Sequence, residues 1–453
     1  MIFEPGRRVH VVGVGGAGMS GLARLLSERG CVVTGSDDRP SPALEELAAA
    51  GVDVRVGRDP RHGERAEVVL WSPAVAASHV ELSAARERGA ELVPRARAMA
   101  ELGHLQPVIG LTGTHGKTTA TSMMVHVLGA AGRDDSRLVG APVIGVGPNG
   151  HWGGPQLVLE VDESYGTFAL LEPYALGLLN VEPDHLDHYG SLDALEAAFA
   201  ALVARTTGPV VAWGDDPGAS RVGAAAGRDV QWVGRDARHG WRVQRVELSR
   251  RASRFVLDGP ATSLAVDLDV PGAHNVANAA VVAVLALALG VAGEDVVRGL
   301  GAFRGAPRRF QLLGRWRGAD VYADYAHLPG EIAATLDAAR EGGYRRVTAV
   351  FQPHRVTRTV ALAGSFAGAF AAASRVVVTD IYDAGEANPD GVTGEVVRYE
   401  LVALRGERGV TYASDLVAVA ALLGEWDDPG DVIILLGAGD VADVASHLSG
   451  GLG

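Results

Sequence analysis

The chain carries 41 lysine and arginine side chains, and only Lys117 among them is a lysine. It lies in TGTHGKTT, residues 112–119, after the apolar run PVIGL and before a helix-compatible segment. Glycines at 113 and 116 in a strand-to-helix turn let backbone N–H groups and a helix N-terminus face an anion. Lys117 would then reach terminal phosphates and Thr118 would offer a hydroxyl to Mg²⁺, with Thr114, His115 and Thr119 completing the loop. The strict G-x-x-x-x-G-K-[ST] pattern is not met, because Leu111 stands where its first glycine belongs. A tight turn without a ligand is the competing reading. The lysine itself favours phosphate, since a compact ammonium enters a closed loop that a planar guanidinium fits poorly.

Two acidic strings end strand-like runs downstream. LEVDESYGTF holds Glu160, Asp162 and Glu163, and LLNVEPDHLDHYG holds Asn180, Glu182, Asp184, His185 and Asp187. Ligand sites in open α/β sheets lie at the C-terminal ends of strands, which would place both strings beside the phosphate loop. Carboxylates with one neutral imidazole suit Mg²⁺, and no cysteine or helical histidine pair favours zinc. Helix capping or solvated charge is the alternative, and it fits Asp187 and Asp193 better than Glu163 and His185.

Three further clusters carry possible chemistry. VGVGGAGMSGLA contains G-x-G-x-x-G at Gly13, Gly15 and Gly18, which would hold a pyrophosphate on a helix N-terminus, with Asp37 after the next strand placed for a ribose hydroxyl. Alone it reads equally as a dinucleotide site or as a site for any diphosphate. PGAHNVANAA puts His274, Asn275 and Asn278 at a helix start, where they serve a nucleobase edge or cap the helix. In DYAHLPGE and FQPHRVTRT, Arg355 and Arg358 converge on one carboxylate or phosphate if the segment is helical; otherwise they are surface charge.

The elements that must position these groups follow a βαβ rhythm. RVHVVGVGG, CVVTGSD, VDVRVG, AEVVLWSPAV and AELVPRA predict a parallel sheet covered by helices over residues 1–105. The pattern restarts at PVIGLTG and continues through QLVLEVDES, ALGLLNVEPDH and GPVVAWGDD into the alternating RVQRVELSRRASRFVLDG, an antiparallel hairpin, so residues 106–304 form a second unit. Four more strand candidates, ADVYADYAH, RVTAVFQPHR, RVVVTDIYDAG and DVIILLGAGD, define a third over 305–453. The expectation is an α/β protein of three domains: Rossmann-like, P-loop with a mixed sheet, and Rossmann-like.

Composition narrows the classes. A net charge of −13 offers no footprint for nucleic acid. The longest apolar run, residues 279–292, falls short of the roughly 20 residues that span a bilayer and reads as a buried helix. Cys31, the single cysteine, forms no internal disulfide, and the N-terminus has no signal-peptide pattern, so a cytoplasmic protein is expected.

Taken in order, GVGGAGMSGLA, GTHGKTTATS, EVDESYGTF, NVEPDHLDHYG, PGAHNVANA, RRFQ, DYAH, FQPHRVTRT, DIYDAGE and GAGDV resemble the Mur ligase family over nearly the whole chain. The resemblance implies an ATP-dependent ligase with Mg²⁺ that joins L-alanine to the lactyl carboxylate of UDP-N-acetylmuramate through an acyl phosphate. It implies that Gly13, Gly15, Gly16, Gly18 and Met19 hold the diphosphate of the UDP-sugar, with Asp37 and Ser72 near its nucleotide end and His188 near the muramyl group. Gly113, Thr114, His115, Gly116, Lys117, Thr118 and Thr119 would hold ATP phosphates, and Thr118, Glu163 and His185 would organise the metal. Asn180, His274, Asn275, Asn278, Arg309 and Asp324 fall on nucleotide-contacting positions. Tyr325, His327, Arg355 and Arg358 fall on the amino-acid side of a C-terminal domain that closes over its substrate. The chain departs from the family in reading HLPGE where HHPTE is common, at Leu328 and Gly330, and ATS where TTS is common. Its one lysine also leaves none to serve as a carbamylated metal bridge. A ligase that adds a tripeptide to the same UDP-sugar is the alternative. A nicotinamide dehydrogenase or a UDP-sugar sensor would leave the phosphate loop or the acidic strings unused.

Overall fold

Three sheets organise residues 2–453, which the computed structural model describes apart from the side chain of Asp187. The Asp187 reading therefore lies outside the described residues, whereas Asp193 sits in the first turn of the helix Leu192–Arg205, where an acid suits the dipole.

The first sheet contains β1 (Arg8–Val12), β2 (Val32–Asp37), β3 (Asp53–Val56), β4 (Val68–Trp71) and β5 (Glu91–Pro94) in the order β3-β2-β1-β4-β5. All neighbours are parallel, and each of the five apolar strings supplies one strand. The order reverses between β1 and β4, and the glycine-rich loop leaves β1 at that crevice.

The second sheet has ten strands. They are β6 (Val108–Thr112), β7 (Ser136–Leu138), β8 (Gly150–His151), β9 (Leu157–Glu160), β10 (Ala175–Leu178), β11 (Val210–Trp213), β12 (Gln231–Gly234), β13 (Trp241–Leu248), β14 (Ser253–Asp258) and β15 (Ser263–Leu268). Their order is β15-β14-β13-β12-β11-β10-β6-β9-β7-β8. It is a mixed sheet: β9, β6 and β10 are parallel neighbours, while β7 and β8 are antiparallel. Those three interior strands bring the phosphate loop and both acidic strings together at their C-terminal ends. Of the run expected to be a buried helix, residues 279–288 lie in the helix Ala273–Ala288, where Ala279 to Ala286 are fully enclosed, and residues 289–292 form the turn that follows it. No helix of the described residues is long and apolar enough to cross a membrane.

The third sheet contains β16 (Gln311–Trp316), β17 (Ala319–Asp324), β18 (Val347–Phe351), β19 (Arg375–Thr379), β20 (Val410–Ala413) and β21 (Val432–Leu436) in the order β16-β17-β21-β18-β19-β20. Only β16 runs antiparallel to its neighbour. The four strings picked from the sequence are the central strands; β16 and β20 are the two edges, partly exposed, without the continuous apolar run that marks a strand covered on both faces.

Chain packing separates two compact units. One runs to Val246 and adds Arg254–Leu268 and Val276–Arg304, so the first two sheets share it; the other comprises Glu247–Ser253, Asp269–Asn275 and Gly305–Gly453. A single apolar cluster in the first unit includes Leu70 in the first sheet with Leu22 on the helix Ala17–Glu28, and Leu159 and Leu176 in the second sheet with Phe199 on the helix Leu192–Arg205.

A buried polar network supports the first glycine-rich loop. His10 on β1 and Glu81 on the helix Val80–Glu87 are each 1% exposed, with a His10 Nε2 to Glu81 Oε2 distance of 3.0 Å. Ser36 Oγ donates to the same carboxylate at 2.5 Å, His62 Nδ1 lies 3.1 Å from its other oxygen, and the Ser36 carbonyl accepts the Gly13 and Val14 amides. Burial alone would raise the Glu81 carboxyl, but the His10 and Ser36 hydrogen bonds outweigh it and hold the group below its ordinary value. Glu81 therefore contributes stability above the unfolded carboxylate range, and that contribution is lost as pH falls through its lower folded value. Glu81→Ala is expected to cost about 3 kcal/mol at neutral pH, because it strands a buried imidazole and hydroxyl. Urea denaturation checks this, and a loss below about 1 kcal/mol would show the network to be replaceable.

Candidate functional site

Glycine geometry shapes the loop between β6 and the helix Lys117–Ala130. Gly113 has φ +142° and Gly116 φ +81°, and a Cβ would sit 2.8 Å from the Asn180 carbonyl oxygen at the first and 2.7 Å from Asn278 Oδ1 at the second. Any larger residue would meet both a backbone penalty and a clash. Asn180, just past β10, brackets the loop: its Oδ1 accepts the His115 amide at 2.8 Å and its Nδ2 donates to the His115 carbonyl at 3.0 Å. Glu182 adds a second clamp, its amide donating to Thr114 Oγ1 at 2.9 Å. Both ends of the Asn180 amide are thus engaged on the loop backbone, so this side chain shapes the cradle.

Lys117 occupies the focus of that loop. Its Nζ donates to the carbonyls of Gly113 at 2.8 Å and Thr114 at 2.9 Å and to both Glu163 oxygens at 2.9 and 3.0 Å. Thr118 Oγ1 donates to Glu160 Oε1 at 3.0 Å, and Glu160 in turn accepts the Gly140 amide. Thr119 is buried on the same helix turn.

Asp162, Glu163 and His185 each present a ligand atom within 4.8 Å of one another. Glu163 is fully buried, and Tyr189 Oη donates to its backbone carbonyl at 2.7 Å. His185 is held with φ +51°, an unusual conformation for a non-glycine residue that turns the chain back after β10. Asp162 accepts from Ser164 Oγ at 2.6 Å and lies 3.5 Å from Arg95 Nη1.

The electrostatics show an excess of acid. Burial pushes the Glu163 carboxyl up to about 7, reinforced by the Asp162 charge and opposed by Lys117. Burial also acts on Asp162, but the Lys117 and Arg95 cations outweigh it and hold that carboxyl low. Burial would depress the Lys117 ammonium, and the Glu163 and Asp162 carboxylates instead hold it above its usual value. Two acids and one imidazole around a shared space fit a hard divalent cation completed by water and phosphate oxygens. The sequence reading assigned the metal to Thr118, Glu163 and His185. The structure brings Glu163 and His185 together and adds Asp162, while the Thr118 hydroxyl is directed to Glu160. The available signal for Asp162 was its place in the same acidic string, next to Glu163 just past the end of β9.

Around the first glycine-rich loop, the Gly15 amide donates to Asp37 Oδ2 at 2.9 Å. A Cβ at Gly15 would lie 2.8 Å from that oxygen, and one at Gly18 would lie 2.9 Å from the Arg95 guanidinium. Gly16 caps the helix Ala17–Glu28, and Met19 is buried within its first turn. Ser72 Oγ accepts the Ala74 amide at 3.3 Å at the end of β4. Arg95, which the sequence reading did not single out, stands between this loop and Asp162. His188 is exposed, edge-on to Tyr189 at 4.8 Å.

The second unit gathers the remaining candidates. Asp324 accepts the Phe310 amide at 2.7 Å and the Ala326 amide at 2.8 Å, and burial pushes its carboxyl up to about 6 against the Arg309 charge. Arg308 and Arg309 stack over the Tyr325 ring at 4.9 and 5.0 Å. His327 packs edge-on to Tyr325 at 5.5 Å and to His354 at 5.8 Å, and His354 stacks on Tyr382. Burial, with His327 and Arg358 nearby, lowers the His354 imidazole to about 3. Arg355, at φ +67°, precedes the helix Val356–Ala369 and lies 3.9 Å from Glu386; Arg358 lies 3.5 Å from His354 Nδ1. Cations, a helix N-terminus and two polarisable rings make this region suited to a carboxylate. Arg308, His354 and Tyr382 lie inside the quoted strings RRFQ, FQPHRVTRT and DIYDAGE, but residue type alone gave them no role there; only the folded packing brings them beside Tyr325 and His327. The HLPGE departure keeps a working cap: Glu331 Oε2 accepts the His327 and Leu328 amides at 3.0 and 3.2 Å. Asn275 Nδ2 donates to the Pro271 carbonyl at 2.7 Å, a local brace, and loss of solvation holds the neighbouring His274 imidazole down to about 4.

Comparison with known proteins agrees along the chain. The profile described as "Mur ligase family, catalytic domain" matches residues 8–106, "Mur ligase middle domain" residues 111–286, and "Mur ligase, glutamate ligase domain" residues 308–439. The chain is 43% identical to a UDP-N-acetylmuramate–L-alanine ligase of Kineococcus radiotolerans, covering 97% of this chain and 95% of that protein. It is 39% identical to the Thermobifida fusca protein of the same name, covering 98% and 97%. Among solved structures, the UDP-N-acetylmuramate-alanine ligase of Thermotoga maritima superposes with a TM-score of 0.81 at 28% identity over 96% of this chain and 97% of that one. The murein peptide ligase of Psychrobacter arcticus shares the fold, with a TM-score of 0.74 at 23% identity over 98% of both chains. The ordered motifs, the three sheets and these matches together establish that the chain belongs to the Mur ligase family.

Proposed function

We propose that this chain is an ATP-dependent ligase that forms the amide bond between L-alanine and the lactyl carboxylate of UDP-N-acetylmuramate, releasing ADP and phosphate. The observation that carries the reading is the Lys117 ammonium in a glycine-shaped loop beside the Asp162, Glu163 and His185 cluster. A carboxylate is a poor electrophile, so the reaction needs its oxygen phosphorylated first. Attack of that oxygen on the γ-phosphorus gives an acyl phosphate and ADP; the alanine amine then adds to the acyl carbon and phosphate leaves. Lys117 neutralises charge on the transferring phosphoryl group, with the loop amides positioning the β and γ oxygens. Asp162, Glu163 and His185 would hold Mg²⁺, which supplies further charge neutralisation at those phosphates.

Residues 1–105 would bind the UDP-sugar through the loop from Gly13 to Met19, with Asp37, Ser72 and His188 about it. Residues 106–304 would bind ATP, with Asn278 beside Gly116 and His274 and Asn275 at the same helix start. Residues 305–453 would take the amino acid, with Arg355 and Arg358 holding its carboxylate, Tyr325 and His327 beside it, and Arg309 and Asp324 serving the nucleotide. Fixing the carboxylate orients the amine toward the acyl carbon, an effect of proximity. The reaction is expected in the cytoplasm. Curated relatives at 37–43% identity carry the single-amino-acid name, which supports alanine over the tripeptide.

Phosphate release from ATP in the presence of UDP-N-acetylmuramate is expected with L-alanine at a rate at least about tenfold above that with the tripeptide L-alanyl-γ-D-glutamyl-meso-diaminopimelate. Turnover with the tripeptide alone would move the chain to the recycling ligases, and nicotinamide-linked absorbance changes would remove it from ligases altogether.

A further inference from the structure

Behind the phosphate-loop helix lies a cavity of about 330 Å³, walled by the C-terminal half of Lys117–Ala130, the β7 region and the helix Gly293–Ala302. It is separate from the loop itself, since its residues on that helix begin at Val125. Two groups on its wall are out of balance.

Arg137 is only 5% exposed, and its Nε donates to the Pro148 carbonyl at 3.1 Å. Among the described residues no carboxylate oxygen lies within salt-bridge distance of its guanidinium, whereas the other charged groups on the wall are matched. Arg133 pairs with Asp135 at 2.6 Å, Asp134 with His151 at 3.2 Å, and Arg298 with Asp295. Burial holds the Arg137 guanidinium below its usual value despite the more distant Asp134 and Glu28 charges. A buried cation without a counter-charge is costly, and the cost is relieved by an anion.

His126 is the second group. Its Nε2 is enclosed without a hydrogen-bond partner, and burial holds the imidazole below its usual value. A neutral imidazole that donates through one nitrogen offers the other as an acceptor. Around these two groups the wall is apolar, from Val125, Leu128, Val146 and Val158.

We infer that this cavity is a binding site for a small 2-hydroxycarboxylate with an apolar body, its carboxylate on Arg137 and its hydroxyl donating to His126 Nε2. The volume is at the lower end for small-molecule sites and suits a ligand of about a dozen heavy atoms. No residue given to ATP, the UDP-sugar or the amino acid lines it.

The test uses the full chain and 3-phenyllactate as probe, with 3-phenyllactamide lacking the charge and 3-phenylpropionate lacking the hydroxyl. Titration calorimetry is expected to give saturable binding of 3-phenyllactate with a Kd of about 1 mM or tighter, and at least about tenfold weaker binding of each analogue. Val146, 44% exposed at the cavity wall, tolerates a larger side chain. Val146→Trp is therefore expected to weaken 3-phenyllactate binding at least about tenfold by filling the cavity, with phosphate release from ATP unchanged. Arg137→Gln should do the same, and thermal melting establishes that it is folded. Equal affinity for either analogue, binding that survives Val146→Trp, or no binding up to about 10 mM would overturn the assignment.

Discussion

Lys117→Arg is expected to reduce phosphate release from ATP by about a thousandfold or more while leaving the fold intact. The substitution keeps the charge, so the loss would come from shape. The Lys117 ammonium directs its protons at acceptors that converge from three sides: the Gly113 carbonyl, the Thr114 carbonyl and the Glu163 carboxylate, all within 2.8 to 3.0 Å. A tetrahedral donor satisfies that arrangement, whereas a guanidinium directs its N–H groups in one plane and is broader than the loop. The loop has little room to admit it, because the Asn180 backbone flanks Gly113 and the Asn278 side chain flanks Gly116. Single-turnover ADP formation with unchanged circular dichroism would check the result. A rate above about a tenth of the unmodified protein would mean that any cation suffices, and the argument from the lone lysine would fail.

Glu163→Gln is the second large effect, expected at about a hundredfold to a thousandfold in phosphate release, with a raised Mg²⁺ requirement. The amide keeps the volume of a fully buried side chain, so packing is preserved. What changes is charge: the site loses one of two carboxylates that would face the cation, and Lys117 loses its closest counter-charge at 2.9 Å. Titrating Mg²⁺ at saturating ATP separates two roles. If Glu163 serves the cation, the midpoint shifts and excess Mg²⁺ restores part of the rate. A variant with lowered thermal stability but an unshifted Mg²⁺ midpoint and near-normal rate would reduce Glu163 to a structural partner of Lys117.

Much of this site was readable because it is built from short-range rules. The glycines at 113 and 116 adopt positive φ, as a strand-to-helix turn around an anion requires. The acidic strings end adjacent parallel strands, so the general rule for open sheets was enough to place them together. Asp162 shows where that rule stops. Lys117 first and then Arg95, 67 residues away, hold it charged against burial, and no local pattern announces the Arg95 contact. His10 and Glu81 are similar: 71 residues apart, they meet only because β1 and the helix Val80–Glu87 pack together.

The amino-acid sequence by itself determined the α/β class, the strand ends that carry chemistry, and the identity of the phosphate-loop amine. Periodicity and turn residues act over a few positions, and these features need no more. Tertiary structure alone decided which carboxylates share a space, which cations offset them, and that Arg137 is enclosed without an acid partner among the described residues. Charge compensation depends on distance and burial between residues far apart in the chain, and those quantities exist only once the chain has folded.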